Sequence, residues 1–330
     1  MLLRTLPLLQ KYSHYIFTLG PAGYLVNKFK AKGISVVSST SLLDLLKQIR
    51  FLKPRIIITY LFHADLIGGL LIKPITGFKI IPFLRSTYNS FKYLPALLSA
   101  WITKPLTTEY LANSEAVKNY YINHLHVSKD KITVITNGIN LEDINNIKTK
   151  PKTGNKIICV ANFHPNKGHS LLLTAFEESF RTHARASLTL VGEGETKTKL
   201  IEQIKNYKSR SKIIFTGYRA DVISLLNQAD IYVLPTKFEG MSNAILEAMA
   251  CGLPVITSDI PENRELIISG ENGLLHNSDD VNDLVQKVNL LLDDSKFRNK
   301  LGKAAKRTII TKYNLNLIVR QWDYYLSNQI

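Results

Sequence analysis

The sequence predicts an α/β protein made of two Rossmann-like domains that face each other across a cleft. Three observations lead to this fold class. Short β-rich runs alternate with helical periods along nearly the whole chain. The 330 residues are too many for one ordinary core and sufficient for two. A polar segment with Pro and Gly interrupts the alternation near the middle. Strands that alternate with helices form parallel sheets covered by helices.

The predicted strands fall into two similar series, with helical segments between them. In the first half they are Tyr15–Leu19, Ile34–Val37, Arg55–Tyr60, Lys79–Leu84, Thr108–Ala112 and Ile132–Ile135. In the second half they are Lys156–Ala161, Ser187–Val191, Lys212–Thr216, Ile231–Leu234, Pro254–Thr257 and Gly273–Leu275.

The segment Ile144–Asn155, with IKTKPKTGN, has the composition of a linker. We therefore expect an N-terminal domain at 1–148 and a C-terminal domain at 149–311. Residues from Ser295 to the end are first basic and then aromatic, which predicts one or two amphipathic helices.

Composition excludes several classes of protein. Hydrophobic residues make up 45% and charged residues 21%, which is typical of a globular chain and not of a disordered one. Cys159 and Cys251 lie in apolar runs without metal-type spacing, which favours reduced core thiols. We find no signal peptide and no apolar window long enough for a transmembrane helix, and expect a cytoplasmic protein.

The net charge of +16 is uneven. Residues 1–150 contain 19 Lys+Arg against 7 Asp+Glu, a net +12, and the remainder contains 23 against 19, a net +4. A basic half suits nucleic acid, an anionic membrane or a phosphorylated substrate, although general solubility is an alternative. The stretch Phe91–Lys104 is apolar, aromatic and bracketed by lysines, which predicts a partly buried helix with a membrane-facing edge.

The most informative segment is KFEGMSNAILEAMACGLPVITSDIPENRELI, at residues 237–267. The chain leaves the strand ending ADIYVLPT, turns at Gly240 and enters a helix whose first amides lack partners, an arrangement that suits a diphosphate. Glu239 can reach hydroxyls of a sugar and Glu247 those of a ribose. The alternative is that both glutamates are surface carboxylates on an ordinary helix.

The segment resembles the signature of the large retaining glycosyltransferase family that includes sucrose synthases, glycogen synthases and phosphatidylinositol mannosyltransferases. The matching pieces are EG…LEAMACGLPV, the preceding strand, and DIPENRELI followed by GENGLL. The resemblance implies the GT-B fold and a nucleotide-sugar donor. VANFHPNKGHSLLLTAF resembles the family's first donor-domain unit and places Lys167 on its diphosphate-binding lysine. YNLNLIVRQWDYYL resembles the closing helix, so residues 312–330 are expected to cross back to the first domain.

The resemblance gives a set of expected site residues. Lys167 and Glu239 are expected to be catalytic, and the donor-binding residues are Asn162, Lys167, Gly192, Arg219, Glu239, Gly240, Met241, Ser242, Asn243 and Glu247. Asn162 departs from the family, which commonly has an arginine there, so Arg219 or Arg85 is a candidate for the second cation. The chain also opens in what resembles the middle of the family's first helix, so we expect the family's first strand to be missing.

The acceptor-side candidates follow two predicted strands of the first half. His63 and Asp65 follow the strand ending at Tyr60, and Arg85 follows the next one. The alternative for the first two is a solvent-exposed histidine and a helix N-cap. His124 and His126 lack a third ligand, so no metal site is predicted.

The expected reaction transfers a sugar with retained configuration in cell-surface polysaccharide or glycolipid synthesis. It needs no protein nucleophile, cofactor or metal. The expected partners are the nucleotide-sugar, a lipid-linked or saccharide acceptor and an anionic membrane surface, and not nucleic acid; the protein would be peripheral on the inner face of the cell membrane. The alternatives are a truncated, inactive remnant that binds membranes or nucleic acid and, less favoured, a nucleotide-sugar epimerase or hydrolase.

Overall fold

The structure is a computed structural model that describes residues 2–20, 23, 25–87, 94–145 and 154–329. Contacts divide the chain into two units. Unit 1 consists of the residues up to Gly138 together with those from Leu315 onward, and unit 2 is Ile139–Asn314.

Both units alternate strands and helices. Unit 1 contains the strands β1 (Tyr15–Leu19), β2 (Ser35–Ser39), β3 (Ile56–Thr59), β4 (Lys79–Leu84), β5 (Tyr110–Ala112) and β6 (Ile132–Val134), and the helices α1 (Leu2–Thr5), α2 (Val26–Lys30), α3 (Leu42–Leu52), α4 (Phe62–Ile67), α5 (Lys73–Thr76), α6 (Leu94–Thr103), α7 (Glu115–Leu125) and α16 (Leu315–Ser327). Unit 2 contains β7 (Lys156–Val160), β8 (Ser187–Val191), β9 (Ile213–Gly217), β10 (Ile231–Leu234), β11 (Val255–Ser258) and β12 (Leu274–His276), and the helices α8 (Glu142–Asn145), α9 (His169–Phe180), α10 (Lys197–Gln203), α11 (Val222–Gln228), α12 (Asn243–Ala250), α13 (Pro261–Arg264), α14 (Val281–Asp293) and α15 (Ser295–Lys312). Every strand predicted from the sequence has a counterpart here, so the predicted α/β class is confirmed.

A single parallel sheet forms the centre of unit 2, in the strand order β12-β11-β10-β7-β8-β9. The chain runs outward from β7 through β8 to β9 and then returns to begin again at β10, so the order reverses between β7 and β10. At such a reversal, the loops after the two strands diverge and open a crevice at the carboxyl edge of the sheet. The topology therefore marks one place in unit 2 where a ligand is expected.

The strands of this sheet are apolar because helices cover them. All residues of β10 and β11 are buried. Helix α9 packs with α14, and α12 packs with α15. Continuous apolar runs such as IYVL are typical of parallel strands that are buried on both faces.

The strands of unit 1 form two separate parallel sheets, β1-β2 and β3-β4-β5-β6. Among the described residues, β1 and β3 each pair on one side only. The two sheets nevertheless share a core, because Phe17 of β1 and Ile57 of β3 pack against the same cluster around Ile49 and Ile80. The expectation of a missing central strand stays a prediction.

The last helix, α16, packs within unit 1. Trp322 is 3% exposed and meets Phe83 of β4 edge-on at 5.7 Å between ring centroids. A Cβ on Gly138 would lie 2.9 Å from Leu315 Cα, so the helix begins in close contact with the backbone at Gly138. The aromatic C-terminal stretch thus contributes to the core of the first half of the chain.

The limits of the two units differ from those predicted. The sequence placed the boundaries after residues 148 and 311, whereas contacts place them after Gly138 and Asn314. The first shift arises because Ile139 is buried in the core of unit 2 and donates a backbone hydrogen bond to Tyr313 (2.9 Å). Residues 146–153 of the predicted linker lie outside the described residues. The helices described here include none that is long and apolar enough to span a membrane.

Candidate functional site

Two residues singled out by the sequence meet at the reversal of the unit 2 sheet. Lys167 lies in the loop after β7 and Glu239 in the loop after β10. The Lys167 Nζ donates a hydrogen bond to Glu239 Oε1 at 2.5 Å, and the side chains are 17% and 12% exposed. The structure therefore brings together, as an ion pair in the expected crevice, two groups that are 72 residues apart.

The loop that carries Lys167 is shaped by a glycine. A 3-10 turn, Pro165–Lys167, ends at Gly168, which has φ +68°. A Cβ on Gly168 would lie only 1.9 Å from the carbonyl oxygen of Pro235, which is far too close for any side chain. Glycine at this position thus allows the loop after β7 to lie directly on the loop after β10.

Asn166 connects the loops after β7 and β10 by hydrogen bonds. The sequence alone did not indicate this role. Its backbone carbonyl accepts hydrogen bonds from Lys237 N (2.7 Å) and Thr236 Oγ1 (3.1 Å). Its side-chain Nδ2 donates to the carbonyl of Phe238 (3.3 Å). These bonds set the spacing between Lys167 and Glu239. The sequence PNKG indicates only a turn, because an asparagine in a turn carries no sign of a distant partner.

Helix α12 begins where the sequence predicted. Ser242 is the N-cap, and its side chain accepts from Ile245 N at 3.5 Å. Gly240 and Met241, immediately before it, are buried. Asn243 opens the helix and Glu247 lies one turn further in, partly buried. The amides of a first helical turn lack intrahelical acceptors and favour an anion.

The two glutamates act on the same buried tyrosine. Tyr232 of β10 is fully buried and donates from its Oη to the carbonyl of Val160 at 3.1 Å. Burial raises the pKa of Tyr232 well above its ordinary value, and the charges of Cys159, Glu239 and Glu247 raise it further. Both glutamates are therefore close enough to Tyr232 to act on it electrostatically.

A third loop, which follows β8, packs on the loop after β7. Gly192 and Gly194 have φ of +146° and +156°. A Cβ on Gly192 would lie 2.0 Å from the Ala161 carbonyl oxygen and 3.5 Å from Asn162 Cα. The predicted donor-binding residues Gly192 and Asn162 are thus neighbours, and the Asn162 side chain is exposed.

Lys167 also influences the buried groups around it. Burial, together with the nearby charge of Lys167, lowers the pKa of His169 to about 4. Burial raises the pKa of Cys159 to about 12, with Lys167 acting in the opposite direction. His169 is 2% exposed, so a neutral imidazole lies at the start of α9 beside the lysine.

The two candidates for a second cation, Arg219 and Arg85, lie in different parts of the chain. Arg219 follows β9, the edge strand of the sheet, and donates from Nε and Nη2 to both carboxylate oxygens of Asp221 at 2.8 Å. Arg85 is exposed, follows β4 and belongs to unit 1, where its charge acts on Tyr60. The spacing of Arg219 and Asp221 in GYRAD is a signal that could have indicated this ion pair.

The acceptor-side candidates lie at the carboxyl edge of the unit 1 sheet. Asp65 of α4 accepts a hydrogen bond from Thr59, the last residue of β3, at 2.5 Å. Burial raises the pKa of Asp65 to about 6, and this bond opposes the shift. His63 is exposed, and its ring lies against Phe62 with 3.7 Å between centroids. The structure thus anchors Asp65 to the strand end and leaves His63 at the surface.

Within the part of the chain that the structure describes, no three His, Cys, Asp or Glu residues are grouped so that they could hold a metal ion.

Comparisons with known proteins cover nearly the whole chain. Residues 140–308 match the family model described as glycosyl transferases group 1, and residues 7–143 match that of glycosyltransferase family 4. A capsular polysaccharide biosynthesis glycosyltransferase of Staphylococcus aureus is 25% identical over 283 residues, which are 81% of this chain and 74% of that protein. A Campylobacter jejuni N-acetylgalactosaminyltransferase, named for a diphospho-undecaprenol substrate, is 27% identical over 68% of this chain and 61% of its own length, so the chain spans less than two thirds of that relative.

Solved structures support the fold. The structure of Anabaena HepE in complex with UDP and glucose aligns over 98% of this chain and 96% of its own, with a TM-score of 0.85 at 19% identity. At that identity the likeness shows the GT-B fold alone.

Proposed function

We propose, from the premise that this chain belongs to the group 1 glycosyltransferases, that it transfers a sugar from a nucleotide-diphospho-sugar to an acceptor with retained anomeric configuration. The observation that carries the proposal is the Lys167–Glu239 pair at the sheet reversal of unit 2. The capsular relative supports a role in cell-surface polysaccharide or glycolipid synthesis.

Unit 2 is proposed to bind the donor. The diphosphate would lie at the first turn of α12 and against Lys167, where amides and an ammonium favour negative charge. Glu247 would accept hydrogen bonds from ribose hydroxyls and Glu239 from sugar hydroxyls. The HepE complex with UDP supports a uridine nucleotide as the first donor to test.

The Lys167–Glu239 ion pair suggests that both side chains change partners when the donor binds. The diphosphate would compete for the Lys167 ammonium, which would free the Glu239 carboxylate for the sugar. Lys167 would then stabilise the charge that grows on the departing diphosphate. A donor phosphate oxygen would help to deprotonate the acceptor on the same face of the sugar. On this mechanism no protein nucleophile, metal or cofactor is needed.

Unit 1 is proposed to bind a lipid-linked or saccharide acceptor through its strand-end residues His63, Asp65 and Arg85. The Campylobacter relative, named for a lipid-diphosphate substrate, supports the lipid-linked class. The net +12 of residues 1–150 supports an anionic membrane surface as a second partner. We further propose that the protein works in the cytoplasm, peripheral on the inner face of the membrane, and does not bind nucleic acid.

Calorimetry with UDP-, GDP- and ADP-sugars tests the donor site. Glu247→Ala is expected to raise the donor Kd about tenfold or more, because it removes an acceptor for ribose hydroxyls. The matched control is Glu202→Ala, since Glu202 is a largely exposed glutamate of the same unit that pairs with Lys205. Unchanged donor binding in Glu247→Ala would reject the assignment.

The reaction itself is tested on the product. The anomeric proton coupling of the transferred sugar, measured by NMR, should match that of the donor. An inverted product would exclude retention. Loss of transfer in the presence of EDTA, with recovery on addition of Mg²⁺, would exclude a metal-independent reaction.

A further inference from the structure

Helix α6 has four of its five large apolar side chains on the outside, and the fifth, Leu97, packs against the core of unit 1. Ala96, Ser99 and Thr103 are 2% exposed and face the protein. Leu94, Leu98, Trp101 and Ile102 are 49%, 50%, 67% and 45% exposed. These four share one side of the helix, because they are spaced by four, three and one residues; we name them the α6 outer face. An ordinary surface helix buries its large apolar side chains and exposes small or polar ones, so α6 is inverted.

The inverted orientation is fixed by contacts on the inner side. The Ser99 hydroxyl donates to the carbonyl of Phe62 in α4 at 3.0 Å. A Cβ on Gly69 would lie 3.0 Å from Thr103 Cγ2, so the helix packs close to the neighbouring backbone. Rotation of α6 would break these contacts, and the α6 outer face therefore stays in solvent unless another partner covers it.

Segments before and after α6 also expose apolar side chains. Leu70 and Leu71, next to Gly69, are 41% and 39% exposed, and Leu106 after the helix is 37% exposed. Lys73 donates a hydrogen bond to the Leu106 carbonyl, and Lys104 donates to the carbonyl of Leu125 at 2.8 Å. Two ammonium groups are therefore held by backbone carbonyls, and both Lys104 and the Lys73 partner Leu106 lie just after the end of α6.

The charge around the patch favours one occupant. The described residues between 61 and 106 contain four Lys or Arg and a single acid, Asp65. A second copy of the same face would bring like charges together, whereas an anionic lipid surface would be attracted.

The composition also fits a bilayer interface. Tryptophan and lysine anchor proteins at the level of the lipid headgroups. Helix α6 has 10 residues, about half of the roughly 20 needed to span a membrane, so it can lie flat but not cross.

We propose that the α6 outer face inserts into the headgroup region of an anionic bilayer and holds unit 1 against it. The proposal rests on the proposed function in that a lipid-linked acceptor would be reached from this position. Residues 91–93, at the start of the stretch Phe91–Lys104, lie outside the described residues.

Intrinsic tryptophan fluorescence gives a test that needs no variant. The chain has two tryptophans, of which Trp101 is exposed and Trp322 is buried. Vesicles of phosphatidylglycerol and phosphatidylcholine should shift the emission to the blue, and lipids brominated near the headgroup should quench it. Trp101→Phe should remove both signals. Vesicle binding without quenching of Trp101 would overturn the proposal.

Flotation with variants completes the test. Leu98→Ser with Trp101→Ser should lower binding to the anionic vesicles at least about tenfold, whereas Phe51→Ser, at an 85% exposed position on α3, should leave it unchanged. Equal binding of the double variant, no vesicle binding at all, or dimerisation through this face would each overturn the proposal. Donor binding by calorimetry and transfer to a soluble acceptor analogue are measured on the same proteins, so a failure here is distinguishable from failure of the proposed function.

Discussion

Units 1 and 2 repeat the same alternation of strands and helices. They differ in how fully the apolar residues of their strands are buried. Strand β10 of unit 2 is buried at every residue. Strand β3 of unit 1, whose first three residues are isoleucines, is only partly buried until Thr59, and β1 leaves Tyr15 and Leu19 43% and 48% exposed. Unit 2 thus has a closed core with a site at one edge, while unit 1 keeps apolar surface at the sheet and on α6.

The difference indicates what each unit's sequence specifies. In unit 2, glycines such as Gly168 and Gly194 lie where two backbone segments approach closely. These close approaches hold three loops together around Lys167. Unit 1 instead places basic and apolar side chains on its surface. Chemistry is therefore expected to be sensitive to small changes in unit 2, and attachment to changes in unit 1.

The largest expected effect is that of Lys167→Ala on transfer. This variant removes the ammonium that would stabilise the leaving diphosphate, so turnover should fall about 10²- to 10³-fold. The protein should still fold cooperatively, with a lower melting temperature because Glu239 loses its lysine partner. Steady-state turnover with the donor identified by calorimetry is the measurement.

The control for that variant is Lys237→Ala. Lys237 lies in the loop after β10 and pairs with Asp279 at 2.8 Å, with its side chain 52% exposed. It should keep near-normal turnover. If Lys167→Ala also keeps it, Lys167 has no catalytic role, and the contrast in chemistry between the two units loses its main support.

A second expectation concerns the packing of the loops of unit 2. Gly168→Ala should lower the free energy of unfolding by about 3 kcal/mol and weaken donor binding, because its Cβ would clash with Pro235 as well as strain the backbone. Gly270→Ala is the matched control: its φ is +83° but nothing lies within 4 Å, so only the strain of about 1 kcal/mol remains. The loss of unfolding free energy in both variants is measured by urea unfolding, monitored by hydrogen exchange in unit 2. Equal losses in the two variants would show that the close approach at Gly168 carries no energy of its own.

Much of this arrangement could be predicted from the sequence. The strands and the α/β class follow from the alternation of strand and helix patterns, and the segments NKG and FEGMSNAILEAMACG locate Lys167 and Glu239 because glycine and helix-start signals are local. Asn166 and Tyr232 were not predictable, since their importance lies in contacts with Phe238 and Val160 that are remote in sequence. The inverted orientation of α6 was also not predictable, because the sequence of a ten-residue apolar helix does not show which side of the helix faces the protein.

The smallest expected effect contrasts the two units in pH dependence. Asp65 has its pKa raised from 3.8 to about 6 by burial, while its bond with Thr59 opposes the shift; Tyr110 also faces it, since Asp65 raises the pKa of that tyrosine. Between pH 3.8 and 6 the folded state holds a proton that the unfolded state has lost, so stability falls as pH rises through this window and stays lower above it. Asp65→Asn should therefore stabilise unit 1 at pH 8 by on the order of 2 kcal/mol, with the gain vanishing below about pH 4.

Unit 2 should respond in the opposite direction and completes the test. The pKa of His169 is lowered from 6.5 to about 4 by burial and by Lys167, so the contribution of this neutral imidazole is fully present above pH 6.5 and is lost as pH falls toward 4. Both tryptophans belong to unit 1, so urea unfolding monitored by tryptophan fluorescence reports on Asp65→Asn. Hydrogen exchange of α9 reports on His169→Leu. That variant should reduce the loss of unit 2 stability at acid pH. Parallel pH profiles of the two units, or an Asp65→Asn variant no more stable than the parent at pH 8, would contradict the assignment, because the two buried groups must shift stability with opposite sign.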